Sequence, residues 1–411
     1  QLLERTAQSL ETMAGLERHR GHFYNWYDTL SLRPLHPAYI STVDSGNLAG
    51  HLLTLRPGLM ALLDRPILET RWLAGLIDTL GILEEAASET DPASLAKFRK
   101  ELESVYNARP ATLTAARALL ERLTRSAEAV AAEPGDEPGS QAAWWAGTLA
   151  RQCAALREEL VFLAPWSGLA EAHGGIGNLP ELENIPTLRA LAGLEVALSS
   201  RLAGHPELAA TRDLVGQASG RAQARIADIR RLALQAGELA EMEYGFLYDK
   251  PSRLLSIGYN VDERRRDASY YDLLASEARL CVFVAIAQGQ LPQESWFALG
   301  RLLTTSGGEP VLLSWSGSMF EYLMPQLVMP TYDHSLLDQT ARAAVARQIE
   351  YGQQLGLPWG MSESGYNTVD VHLNYQYRAF GVPGLGLKRG LGEDRVVAPY
   401  ASVMALMVAP E

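Results

Sequence analysis

The stretch MEYGFLYDKPSRLLSIGYNVDERRRDASYYDLLASEARL (residues 242–280) marks where the character of the chain changes, and the change decides the fold. Upstream, residues 48–245 read as helix after helix. They are rich in Ala, Leu, Glu and Arg, and no alternation of period two persists. Breaks fall at Pro57-Gly58, Asp91-Pro92, Pro110, Pro134 to Gly139, Pro165 to Gly168, Gly174 to Pro186 and Gly204 to Pro206. Within the stretch itself, LLSIGYN reads as short strands and a helix is expected to start near Ser269 or Asp272. Downstream, a helix around 335–356 is set among loops rich in Gly, Trp, Tyr and single carboxylates, a composition suited to a ligand-facing surface. The expected fold class is mainly α, an α/α barrel with short strands in the loops at the mouth of the site.

The amino-terminal part fits this picture. Leu2, Leu3, Leu10, Met13 and Leu16 recur at helical spacing in residues 1–20. Asp44-Ser45-Gly46-Asn47 reads as a loop opening the next helix, with Ser45 or Asp44 as its N-cap. EPGDEPGSQ (133–141) and HGGIGNLPELENIP (173–186) read as long connections. The chain has 411 residues, is 47% hydrophobic and carries a net charge of -12. That is enough apolar material for a large core, and the wrong sign for holding nucleic-acid phosphates. Two cysteines, Cys153 and Cys281, are too few for a disulfide framework and read as buried thiols of a reducing compartment. There is no apolar run long enough to span a membrane. The first and last residues read as cuts through a longer polypeptide.

Glycoside cleavage needs two carboxyl groups, one acid and one nucleophile or base. Asp28, Asp44, Glu277, Glu321, Glu363 and Asp370 lie outside ordinary surface-helix settings. Glu277 sits on an apolar helix face in ASEARL, Glu321 among apolar and aromatic neighbours, and Glu363 in a loop with Trp359, Tyr366 and Asn367. A carboxyl in an apolar setting holds its proton to higher pH and can serve as an acid near neutrality. Trp315 and Trp359 offer faces for sugar rings, and Asn367, Gln376 and Arg378 offer hydroxyl-holding groups. Each carboxylate also has a plainer reading as the partner of an arginine or a helix end, Glu321 above all as a core anchor. HExxH and CxxC are absent, the histidines lack ligand spacing, GVPGLGLKRG is not a nucleotide-binding loop, and Ser316 is not in a nucleophile elbow. No metal or cofactor is expected.

Beyond these residues, the chain resembles a known family. ERHRGHFYNWYDTLSLRPLHPAYISTVDSGNLAGHLLTL (17–55) is similar to the segment after the glycosyltransferase region of bacterial cyclic β-1,2-glucan synthases. The stretch 242–280, SWSGSMFEYLMPQLVMP (314–330), YGQQLGLPWGMSESGYN (351–367) and YQYRAFGVPGLGLKRGL (375–391) resemble the glycoamylase-like domain of the same enzymes. The resemblance implies a single (α/α)6-barrel domain over 1–411, with an N-terminal helical part at 1–240 and a glycoamylase-like part at 241–411 carrying the catalytic motifs. It implies a retaining transglycosylase that closes linear β-1,2-glucan into a ring. The working glutamates would be Glu277 (acid/base) and Glu363 (nucleophile), with Asp28, Asp44 and Glu321 left as positioning or structural groups. A glycosyltransferase module before it and a phosphorylase-like module after it are expected, at the cytoplasmic side of the bacterial inner membrane. Ring closure rather than hydrolysis needs a high effective concentration of the chain's own far end and a shielded acceptor wall. The aromatic stretch 23–39 is the candidate for that wall, or else merely packs the first helix. A hydrolase of the same fold and a non-catalytic glucan-holding module are the rival readings.

Overall fold

The computed structural model describes residues 2–69, 71–87, 93–107, 109–132, 140–168, 179–203, 208–369 and 375–411, without the side chains of residues 107, 203, 366, 367, 375 and 376. The described residues are mainly helical, as the upstream pattern indicates. Two compact units emerge, one formed by residues 1–57 with 232–411, the other by 58–231.

The 58–231 unit is helix packed on helix. It holds α3 (Arg71–Ala86), α4 (Ala93–Asn107), α5 (Leu113–Ala132), α6 (Gln141–Leu163), α7 (Pro180–Glu183), α8 (Leu188–Ala192) and α9 (Leu194–Ala203). In α5, Leu113, Ala116, Leu120, Leu123, Ala127 and Val130 are buried, the three- and four-residue spacing that puts one face of a helix inward. Of these Leu123, Ala127 and Val130, with Leu119, meet Leu73, Leu76 and Leu80 of α3, Phe98 and Leu102 of α4, and Leu149 and Cys153 of α6 in one core. Cys153 is indeed a buried free thiol. Residues 133–139 and 169–178, which hold most of the two connections read from the sequence, lie outside the described residues; within the second, Pro180–Glu183 forms a short helix.

The other unit carries the strands. Helix α1 (Leu2–Gly15) leads to a hairpin of β1 (Arg18–His19) and β2 (His22–Phe23), then to β3 (Tyr39–Ser41). Helices α2 (Thr42–Ala61) and α10 (Ala209–Leu239) contain the boundaries between the units. After α10 come β4 (Tyr248–Asp249) paired with β5 (Leu254–Leu255), and β6 (Gly258–Asn260), which lies between β3 and β7 (Arg265–Arg266). Helices α11 (Ala278–Ala287) and α12 (Glu294–Ala298), the hairpin β8 (Leu302–Ser306) and β9 (Glu309–Leu313), α13 (Met319–Leu323), α14 (Leu336–Leu355), the hairpin β10 (Ser364–Val369) and β11 (Tyr375–Arg378), and α15 (Pro399–Ala405) complete it. The helix expected around 335–356 is α14. Ser335 caps it by accepting from the Asp338 N–H, Asp338 answers by accepting from the His334 N–H, and Gly356 closes it in the left-handed conformation.

Three local expectations are corrected. Asp44 to Asn47 are not a loop but the first turn of α2, because Ser41, at the end of β3, takes the capping role and accepts from the Asp44 N–H at 3.3 Å. Pro57 does not end α2, which runs on to Ala61 with the loss of one internal N–H donor. The helix expected from Ser269 or Asp272 begins only at Ala278. Asp272 instead spends its carboxylate on the N–H groups of Leu274 and Ala275 in a tight turn.

Candidate active site

The candidate site is assembled where the first turns of α2 and α11 meet. Gly46 makes this possible. A β-carbon there would fall within 2.5 Å of Cys281 Sγ and closer still to the Cys281 Cα and Cβ, so only glycine lets the two helices touch. Cys281 donates its thiol hydrogen to the Thr42 carbonyl at 3.1 Å across the same seam. On its other side α2 is tied down by buried His22. The ring Nε2 donates to the Glu243 carbonyl at 2.8 Å, and Nδ1 lies 2.9 Å from Ser45 Oγ. Burial lowers the His22 pKa to about 4, so the imidazole is neutral and structural.

Glu277 stands at the start of α11, on the face that also carries Cys281 one turn on. The chain reaches it through Ser276, whose φ of 49° is left-handed and unfavourable for a residue with a side chain. That turn aims the Ser276 hydroxyl at Glu277 Oε2. Asn47 Nδ2 donates to Glu277 Oε1 at 3.3 Å. The side chain is only 5% exposed. Burial raises its pKa, the Ser276 hydrogen bond opposes the rise, and the negative charge of Asp44 adds to it.

Glu363 is placed by clamps on the backbone around it. Gln348 of α14 holds Met361 by both its N–H and its carbonyl, each at 2.8 Å. Ser362 Oγ accepts from the Phe320 N–H at 3.0 Å and from the Tyr400 hydroxyl at 2.9 Å, and that hydroxyl also lies 2.9 Å from the Glu363 carbonyl. Burial pushes the Glu363 carboxyl up to about 8, helped by the negative charges of Glu321 and Glu277 and, more weakly, Asp44, and opposed by a hydrogen bond from Ser318. The environment therefore favours the protonated form of this group at neutral pH in the free chain.

Glu321 is an anchor, as its plainer reading held. It is 3% exposed, and its carboxylate accepts from the Ser316 N–H at 3.0 Å and the Ser316 hydroxyl at 2.5 Å. The fully buried Arg279 guanidinium donates to the Glu321 and Tyr322 carbonyls at 2.6 and 2.5 Å, which joins α11 to α13. Asp44 is exposed on the first turn of α2, where its charge reaches both Glu277 and Glu363. Asp28 spends its carboxylate on the Leu30 and Ser31 N–H groups and the Ser31 hydroxyl, inside its own turn. Trp315 is 59% exposed, which leaves its ring face open. Trp359 is half-buried against Gly352 of α14. Arg378 pairs with Asp394 at 2.8 Å and lies over the Phe380 ring. Asp370 and the side chains of Tyr366, Asn367 and Gln376 fall outside the described residues.

The aromatic stretch 23–39 divides. Tyr24, Ala38 and Ile40 form a small core with Tyr27, Phe246 and Tyr259 against it, whereas Trp26 is 53% exposed. Tyr39 does something the sequence did not signal: its hydroxyl donates to Asp267 Oδ2 at 2.5 Å. Tyr271 was missed altogether. Its half-buried phenol is pushed up to about 12 by burial and then by the charges of Asp44, Glu277, Asp267 and Glu363, so it remains an O–H donor facing four carboxylates. The one available signal was its place in SYYDLL, six residues before Glu277. Two carboxyls of raised proton affinity, buried Glu277 and half-buried Glu363, set near hydroxyl groups, are the equipment of glycoside chemistry. Among the described residues no group of three or more His, Cys, Asp or Glu is arranged to hold a metal ion.

Known proteins agree with that class. The Glycoamylase family model, described as a glucoamylase, matches residues 269–411, the segment that supplies Glu277, Glu321 and Glu363. At the level of whole sequences, the chain is 36% identical over 430 aligned residues to the cyclic beta-(1,2)-glucan synthase NdvB of Rhizobium meliloti (strain 1021). That match takes in 100% of this chain and 13% of the synthase, so the chain corresponds to a small part of its relative's length. The resemblance read from the motifs is therefore a real sequence relationship. No helix among the described residues is long and apolar enough to cross a membrane.

Proposed function

We propose that this chain is a retaining transglycosylase that cyclises linear β-1,2-glucan, on an (α/α)6-barrel scaffold, as one part of a larger synthase. In that protein a glycosyltransferase module would precede it and a phosphorylase-like module follow it, at the cytoplasmic side of the inner membrane. The observation that carries the reading is the carboxyl pair of buried Glu277 and half-buried Glu363, borne on SEARL and SESGYN, with desolvation and then the charges of Glu321 and Glu277 raising the proton affinity of Glu363. In the reaction Glu363 attacks the anomeric carbon while Glu277 protonates the departing glycosidic oxygen. Glu277 then takes a proton from the 2-hydroxyl of the chain's far end as that oxygen displaces Glu363. The free pair titrates as a unit, and Glu363 is held toward its protonated form by desolvation first and by the charges of Glu321 and Glu277 next. Positive charge growing at the anomeric carbon favours the Glu363 anion and leaves the proton to Glu277.

Incubation of the chain with linear β-1,2-glucan, with products weighed by mass spectrometry, tests the reading. Rings one water lighter than linear chains of equal length are expected. Short linear sugars alone would make the chain a hydrolase, and unchanged substrate would leave it a holding module. The pH profile is a second expectation. The pair must keep one proton, and the group that holds it titrates at about 8. Thus kcat/KM should fall about tenfold per pH unit above that value. A flat profile from pH 6 to 10 would show that this pair does not limit the reaction.

A further inference from the structure

Asn47 is the one neutral side chain of α2 that reaches Glu277. Its amide faces the carboxylate with Nδ2, 3.3 Å from Oε1, while its own oxygen, Oδ1, is buried and has no hydrogen-bond partner among the described residues. A buried, unpaired carbonyl oxygen costs free energy, so its persistence calls for a use. Asn is unusual in that a half-turn of its terminal amide exchanges a donor for an acceptor of nearly the same shape. After that turn Oδ1 would occupy the place of Nδ2, within reach of the same Glu277 oxygen.

We propose that Asn47 is a positioning residue for Glu277, one that donates through Nδ2 while the carboxylate is ionised and reverses its amide to accept through Oδ1 when Glu277 carries a proton. The inference rests on the assignment of Glu277 as acid/base, because that role obliges one carboxyl to be held in a single place in both of its charge states. The contact is rigid for reasons given above. Gly46, next to Asn47, is pressed onto Cys281, and Ser45 on the other side is fixed by His22. Among the described residues no other polar neighbour supplies such a partner to Oε1. Asp44 of α2 and Glu363, in the loop before β10, are acidic. Tyr271 is a donor that stays protonated, Cys281 is a buried thiol already donating to Thr42, and Ser276 sits on Oε2. Arg279, two residues along α11, spends its guanidinium on α13.

The test follows the Glu277 carboxyl directly in the 411-residue chain, by carbon-13 NMR titration of glutamate-labelled protein. The Glu277 resonance is assigned by its loss in Glu277→Gln. Asn47→Leu removes both hydrogen-bonding options, and Asn47→Asp replaces the amide by a second anion. Both are expected to raise the Glu277 midpoint, Asn47→Leu by about half to one pH unit, the excess of a hydrogen bond to the carboxylate over one to the neutral acid, and Asn47→Asp by about one unit or more, because it sets a second anion on Oε1. Steady-state ring formation should show kcat down by roughly tenfold to a hundredfold with KM nearly unchanged, the pattern of a contact used in the reaction rather than in binding. A packing role alone would lower the melting temperature and leave the midpoint in place. A Glu277 midpoint unmoved in both variants overturns the proposal. If the wild-type chain turns over no glucan, the proposed function fails, while the titration still decides whether Asn47 governs the proton on Glu277.

Discussion

Glu363→Gln should lower ring formation by about four orders of magnitude, and Glu277→Gln by roughly two to four, with the folded structure intact in both. Gln keeps the size and the hydrogen-bonding atoms of the side chain but can neither attack an anomeric carbon nor give up a proton. The two losses can be told apart. With azide supplied to alanine variants, Glu277→Ala should yield the β-glycosyl azide, formed after normal attack by Glu363. Glu363→Ala should yield the α-azide, formed by direct displacement. The same product from both, or rings at the wild-type rate from either, would end the assignment. Stability should move the other way at high pH. The Glu363 pKa is raised in the fold, from an ordinary value near 4.5 to about 8. Its favourable contribution is therefore complete below about pH 4.5 and lost as pH rises through about 8. Glu363→Gln removes a half-buried carboxyl that must ionise, so above pH 8 the variant should melt higher than the wild type. A site that loses its activity and gains stability by one isosteric change is one whose carboxyl is held out of water for chemistry.

Gly46→Ala should be strongly destabilising, costing about 3 kcal/mol or more, while Gly58→Ala, twelve residues on in the same helix, should be neutral or slightly stabilising. Elsewhere in a helix interior alanine is favoured over glycine by about 0.5–1 kcal/mol. At Gly58 nothing lies within 4 Å of the added carbon, so that preference prevails. At Gly46 the added carbon would overlap the Cys281 backbone, which moves only if α11 moves. Thermal melting of the two variants checks this directly. In Gly46→Ala, whatever folds should also lose ring formation, because Asn47 and Glu277 are drawn apart. Equal melting temperatures for Gly46→Ala and wild type would show that the seam yields easily.

These two sites mark what was legible in the sequence. The helical regime of 48–245 and helix α14 could be read from period and capping, because both signals are local. Glu277, Glu321 and Glu363 stood out as carboxylates in apolar settings, and the long motifs singled out two of them. The start of α11 could not be read, since Asp272 looks like an N-cap and the turn at Ser276 depends on packing. Tyr39 and Asp267, 228 positions apart, meet only through the pairing of β3, β6 and β7. The contact of Asn47 with Glu277 spans 230 positions and depends on a glycine whose reason lies in another helix. Asp28 is the opposite case. Its use is entirely local, and a carboxylate satisfied within its own turn looks in sequence like one free to meet a ligand.

The clasp of Gln348 on Met361 divides labour along the chain. Hydrogen bonds from the Phe320 N–H of α13 and the Gln348 and Tyr400 side chains of α14 and α15 fix the three residues that end at Glu363, and the β10–β11 hairpin begins at the very next residue. The reacting group thus belongs to the frame, and the adjoining ribbon is an attachment. Such a junction lets a lineage, or an engineer, rewrite the ribbon to suit another sugar chain while the reactive carboxyl keeps its place.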